Sequence, residues 1–178
     1  LGNVCLFEGR VTVFDAIDFC EPLRTLDVMN DLAFLMMDLL VRGQPQLAWR
    51  ALSRYLDATG DHAGIPLLAS AMAWRALVRF KVERLKGDPP AHAWAERYLS
   101  GAIRLLAPRQ PVLEAMQGVS GSGKSAVSQR LRAQLGAVRL RSDVERHRLA
   151  RPGEPADYAP HARDEVYDTL FDRAEGLL

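Results

Sequence analysis

The octapeptide Gly118-Val119-Ser120-Gly121-Ser122-Gly123-Lys124-Ser125 constrains this chain more than any other stretch of it. It fits G-x-x-x-x-G-K-[ST], and the residue frequencies give a chance match in roughly one in a thousand chains of this composition. Glycines let a backbone turn tightly enough for successive N–H groups to point inward at anionic oxygens. A helix that follows adds unpaired first-turn amides and the positive end of its dipole. Lysine supplies a mobile point charge, and the serine hydroxyl a hard oxygen for a divalent cation. The lysine stands out in a chain that has twenty arginines and only Lys81, Lys86 and Lys124. Such a loop needs a strand before it and a helix after it. Val112–Gln117 reads as that strand, and a helix runs on to about Leu135, where Gly136 closes it.

The flanking pattern extends this order. Val138–Arg141 reads as a second strand, with Asp143 at its end. Helix or loop continues to Leu149, and a last helix is predicted from about Pro160 to Leu178. Upstream, Asn3–Phe7 and Arg10–Phe14 flank a short turn and predict a β-hairpin. Leu26, Met29, Leu32, Ala33, Met36, Leu39 and Leu40 then recur at helical spacing, with Thr25 or Asp27 as N-cap. Further helices are predicted from about Pro45 to Thr59, Gly64 to Lys86 and His92 to Leu106, with Gly87-Asp88-Pro89-Pro90 as a break. Ala107-Pro108-Arg109-Gln110-Pro111 is a proline-rich joint. The predicted domains are therefore 1–107 and 112–178, with 108–111 as linker.

Composition excludes several classes. At 48% hydrophobic and 25% charged the chain is ordinary globular material. No apolar run approaches the roughly 18 to 20 residues that span a bilayer, since Asp38 interrupts Leu32–Val41. The net charge of +1 advertises neither nucleic acid nor an anionic membrane. Cys5 and Cys20 lack metal-site spacing and predict buried thiols in a reducing cytoplasm. Trp49, Trp74 and Trp94 fall on helical faces and predict core or groove positions. The ends, Leu1-Gly2-Asn3 and Gly176-Leu177-Leu178, read as an interior piece of a longer protein.

The strand–loop–helix–strand element with Asp143 resembles P-loop kinases of small metabolites, such as gluconate, shikimate and chloramphenicol kinases. That resemblance implies ATP and Mg²⁺ as cofactors. Gly118, Ser120, Gly121, Ser122, Gly123, Lys124, Ser125 and Ala126 would hold the nucleotide, and Ser125 the metal. Lys124 and Asp143 would be catalytic, with Asp143 activating the acceptor hydroxyl. The alternative for Asp143 is N-cap of a Val144–Leu149 helix. Arg141, Arg146 and Arg148 are candidate phosphate or substrate contacts, or solvated helix-face residues. A second acidic metal-site residue at a later strand end is expected after the last residue of this chain.

Leu1-Gly2-Asn3-Val4-Cys5, Val13-Phe14-Asp15-Ala16-Ile17-Asp18-Phe19 and Asp31-Leu32-Ala33 look like the aminoglycoside phosphotransferase family. The resemblance implies that Asn3 and Asp15 are Mg²⁺ ligands. The alternative is that both are turn residues flanking the hairpin. Asp18 and Asp27 read as loop or cap acceptors. Together the two halves resemble a bacterial fusion whose members are often labelled AAA-family ATPases. The expected fold class is α/β plus mainly-α. It joins the helical C-terminal part of a kinase-like lobe, with its hairpin, to the first half of a three-layer α/β/α P-loop NTPase domain. The expected function is ATP–Mg²⁺ binding with phosphoryl transfer to a small hydroxylated molecule, in the cytoplasm. The alternatives are a P-loop ATPase or nucleotide-sensing module, and a truncated, inactive remnant.

Overall fold

A computed structural model of the protein describes residues 4–15, 20–108, 110–150 and 154–178. In chain order the elements are β1 (Val4–Phe7), β2 (Arg10–Val13), α1 (Glu21–Arg24), α2 (Val28–Val41), α3 (Pro45–Thr59), α4 (Ile65–Lys86), α5 (Pro89–Leu106), α6 (Lys124–Leu135), α7 (Ser142–Leu149) and α8 (Pro160–Glu175). They divide into two compact units. One holds residues 1–44 and 67–106, the other 45–66 and 107–178.

In the first unit the hairpin forms as expected. Val4 faces Val13 and Phe7 faces Arg10 in an antiparallel register. The turn residues Glu8 and Gly9 take φ of 50° and 72°, the left-handed pair that matches strand twist. Both faces of this ribbon are largely exposed, so Cys5 is exposed and the expectation of two buried thiols is corrected. A two-stranded ribbon cannot cover its own side chains. Asp27 caps α2 by accepting from the Met29 N–H at 2.8 Å, one of its two predicted roles. The helix Glu21–Arg24, with a proline in its first turn, precedes it. α5 starts three residues before the expected His92. Pro89 and Pro90 occupy its first turn, where a missing N–H costs nothing, and Asp88 Oδ1 accepts from the Ala91 N–H at 2.7 Å.

The core of this unit is built from small and flexible side chains. Met29, Ala33, Met36 and Met37 of α2, Leu68, Met72 and Ala76 of α4, and Ala91, Ala95 and Ala102 of α5 are all buried. The alanines let α2 and α5 pack closely, and the methionines fill the irregular space that remains. One polar contact is buried with them. Tyr98 Oη donates to Asp38 Oδ1 at 2.9 Å, and Arg42 Nε donates to Oδ2 at 2.9 Å. Trp94 lies under two guanidiniums, those of Arg42 and Arg97, at 5.0 and 4.8 Å from its ring centre. Trp74 is 64% exposed and so lies outside the core, one of the two positions its helical spacing predicts.

The second unit brings α3 against α6 and α7 against α8. The expected strands Val112–Gln117 and Val138–Arg141 are corrected here. Among the described residues the only sheet is β1–β2; neither 112–117 nor 138–141 joins a strand ladder. Residues 112–117 are exposed along their whole length, whereas parallel strands require cover on both faces. Residues 138–141 are held by arginine side chains instead of a backbone ladder. Arg139 donates to Ser125 O and Ser128 Oγ at 3.3 and 3.4 Å, and Arg141 pairs with Asp57 at 3.3 Å. The described residues are thus mostly helical with a small hairpin.

A buried carboxylate organises this unit. Glu145 is 3% exposed and pairs with Arg148 and with Arg173 of α8. Arg148 also donates to the carbonyls of Leu56 and Asp57 at 2.9 and 3.0 Å, near the C-terminal end of α3. Favourable cation placement at a helix C-terminus and a buried ion pair coincide in one side chain. His62 is buried beside them, its Nδ1 at 2.9 Å from Gly60 O. Glu145→Gln should lower the stability of this unit by about 3–5 kcal/mol in urea titration, because it leaves two guanidiniums without their carboxylate.

Burial holds the His62 imidazole below its ordinary pKa, helped by the Arg173 and Arg148 charges and opposed by Gly60 O and Glu145. The folded state therefore prefers neutral His62, while the unfolded chain takes up the proton at about pH 6.5. That contribution to stability is present above the unfolded value and is lost as pH falls through it. The urea midpoint should drop between about pH 7.5 and about pH 5.5, and His62→Gln should flatten the drop.

Candidate functional site

The segment Gly118–Ser125 folds into a turn that runs directly into α6, as its sequence demands. Gly118, Gly121 and Gly123 all take positive φ, and Gly123, at φ 85°, is the residue that starts the helix. An L side chain there would be strained, so glycine is required at the junction of loop and helix. A Cβ on Gly118 would lie 2.8 Å from Ser122 Oγ, so the loop closes back on its own first residue. The Ser122 N–H donates to Val119 O at 3.2 Å and fixes that return. Val119–Gly123 are exposed, and the amides of Lys124 and Ser125 open the helix with no intrahelical acceptor to reach.

Lys124 lies across this loop. Its Nζ donates to Gly118 O at 2.5 Å and to Val119 O at 2.7 Å. The ammonium is thereby held at the loop opening by two neutral carbonyls, beside the positive end of the helix. Neutral acceptors compete poorly with ionised phosphate oxygens, whose hydrogen bonds are about twice as strong. The residues present fit a phosphate chain: exposed amides, a positive-φ cradle and a cation that swaps acceptors without leaving the loop. Ser125 is exposed in the first turn of α6 and offers its hydroxyl as a cation ligand. Among the described residues no group of three His, Cys, Asp or Glu side chains could hold a metal.

Asp143 sits in the first turn of α7, where the N-cap position belongs to Arg141. Its side chain is 64% exposed, 4.0 Å from Arg141 and 4.0 Å from His147 Nε2. The segment 138–141 and the first turn of α6 meet through Arg139, which reaches the Ser125 carbonyl. Arg139 is not among the site residues expected from sequence; its one local signal is a charged residue set between Val138 and Leu140. Of the other arginines, Arg146 donates to Asp157 O at 2.9 Å and lies over the Tyr158 ring, and Arg148 belongs to the buried Glu145 cluster. Asn3 lies outside the described residues. Asp15 follows the hairpin in the other unit, exposed, with φ 64°. Such a conformation is one that aspartate tolerates better than most residues.

No helix of the described residues is long and apolar enough to cross a membrane. No solved structure matches the chain. It is 35% identical over 150 residues to each of three mycobacterial proteins, covering 83% of this chain. They are named uncharacterized protein Mb2027c, from Mycobacterium bovis, and uncharacterized proteins MT2060 and Rv2004c, from Mycobacterium tuberculosis. The chain spans about 30% of the length of these relatives. Residues 113–178 match a family model described as an AAA domain, and that match implies the P-loop NTPase fold for the region that begins just before the glycine-rich loop.

Proposed function

We propose that this chain binds ATP–Mg²⁺ through Gly118–Ala126 and that the whole protein transfers the γ-phosphoryl group to a small hydroxylated acceptor. The observation that carries the reading is Lys124, whose ammonium rests on two loop carbonyls at the open N-terminus of α6. The AAA-domain match over residues 113–178, which includes this loop, also supports it. Bound nucleotide would take the exposed amides of the loop and the Lys124 charge, and Ser125 would be a ligand of Mg²⁺. Mg²⁺ supplies the charge neutralisation that phosphoryl transfer needs. Asp143, exposed at the start of α7, would accept the acceptor hydroxyl's proton while its oxygen bonds to the γ-phosphorus and ADP departs.

Residues 1–107 are read, on sequence resemblance, as part of an aminoglycoside-phosphotransferase-like lobe in which Asn3 and Asp15 hold a second Mg²⁺ site. The two domains of the reading are 1–107 and 112–178, joined at 108–111. A cytoplasmic location follows from the supply of ATP there. The second reading, an ATPase or nucleotide-sensing module, differs only in what Asp143 does.

Isothermal titration with ATP and Mg²⁺ should show binding that Lys124→Ala weakens by at least about tenfold, since one charge-assisted contact is worth about 1.5–3 kcal/mol. Unchanged affinity would sink the assignment. Asp143→Asn should leave that binding intact and lower phosphoryl transfer by about 10²–10⁴-fold. Intact transfer in that variant favours the ATPase or sensing reading.

A further inference from the structure

A second cationic site lies in the same unit, along α3 and α6. Gln129 and Arg132 are three residues apart on α6, and Arg130 and Gln134 four apart beside them, so all four share one broad face. Gln46 and Arg50, four apart on α3, face them. These side chains line a cleft of about 430 Å³, within the roughly 300–1,000 Å³ of small-molecule sites. Its chemistry is that of donors: three guanidiniums and three amides, with Leu47 and Ala133 as the apolar share.

Arg132 sits at the base of the cleft and is 7% exposed. Its Nε is buried without a hydrogen-bond partner, and so is Nε of Arg139. A buried guanidinium with an unmade hydrogen bond is costly unless an anion completes it. Burial depresses the Arg132 pKa, Arg50 adds to the depression, and Asp57 opposes both. Asp57, however, already pairs with Arg141 at 3.3 Å. Asp57 is thus shared among Arg132, Arg139 and Arg141, with Asp143 4.0 Å from Arg141 alone among them, and the balance of charge around Arg132 is positive.

We infer that the α3–α6 cleft is a binding site for a small phosphorylated molecule, distinct from the Gly118–Ser125 loop. Phosphate oxygens accept the planar forks of Arg50, Arg130 and Arg132 two bonds at a time, and the glutamine amides supply the remaining donors. Arg132 fixes the anion at the base, and the exposed Arg50 and Arg130 close on it from the rim.

The test uses inorganic pyrophosphate as probe, with Mg²⁺ absent and the full chain carrying Lys124→Ala, so that the glycine-rich loop contributes little. Calorimetry should show one bound pyrophosphate, and the melting temperature should rise with its concentration. Adding Arg50→Gln and Arg130→Gln, both exposed and remote from the folded core, should weaken that binding by at least about tenfold while the melting temperature without ligand stays unchanged. Arg132→Met should abolish it; a variant that does not fold is replaced by Arg132→Lys, which keeps the charge, loses the fork and should also bind more weakly. Absence of pyrophosphate binding in the Lys124→Ala chain, or binding that survives Arg50→Gln/Arg130→Gln, overturns the inference. Neither result bears on ATP binding by the intact loop.

Discussion

The Glu145 carboxylate is the point on which the second unit depends. It is acidic, almost fully buried, and paired with Arg148 of its own helix and with Arg173 of α8, which it ties to α7. An isolated buried carboxylate is unfavourable by several kcal/mol, and so is an isolated buried guanidinium. Each therefore holds the other in place, and Arg148 spends its remaining donors on the carbonyls of Leu56 and Asp57. The C-terminal end of α3, which no later residue of its own helix could satisfy, is completed by a residue of α7. Without a sheet between the described elements, this polar junction and the α3–α6 and α7–α8 contacts define the unit.

The same preference for arginine explains the division of labour around the loop. Arginine's fixed fork suits fixed partners, and here it ties segments together: Arg139 to Ser125, Arg141 to Asp57, Arg148 to α3. Lysine's flexible stem suits a partner that comes and goes. Lys124 is the one lysine of this unit, and its present acceptors are neutral carbonyls. The loop is shaped before any anion arrives, so little backbone ordering remains to oppose binding.

Much of this was legible from local sequence. The hairpin followed from a glycine turn between alternating residues, and α2 through α4 from apolar spacing bounded by Gly43, Gly60 and Gly87. The loop followed from a motif whose residue types are dictated by phosphate geometry. What failed were inferences that needed a neighbour. Val112–Gln117 has strand composition, but a strand forms only where another offers a ladder, and none does among the described residues. Trp74 has core spacing on α4 yet faces outward, because periodicity states which residues share a face and not what covers it. Pro89 and Pro90 read as a break from sequence but form the first turn of α5, a position they suit. Arg148 reads from sequence as a phosphate contact or a solvated helix-face residue, and nothing local singles out Glu145 or marks a partner 92 positions away.

That separation has a consequence for how the chain is made. α3 leaves the ribosome long before α6, α7 and α8 exist, and it belongs to their unit rather than to the one being completed around it. Its apolar residues Ala48, Leu52 and Leu56 wait, and the Leu56 and Asp57 carbonyls lack the Arg148 guanidinium, until a stretch far downstream emerges. Contacts of such long sequence separation slow folding, because the intervening loop must be closed before they form. The unit that carries the glycine-rich loop is therefore a late-closing one, exposed to chaperones and proteases for the interval between its first helix and its last.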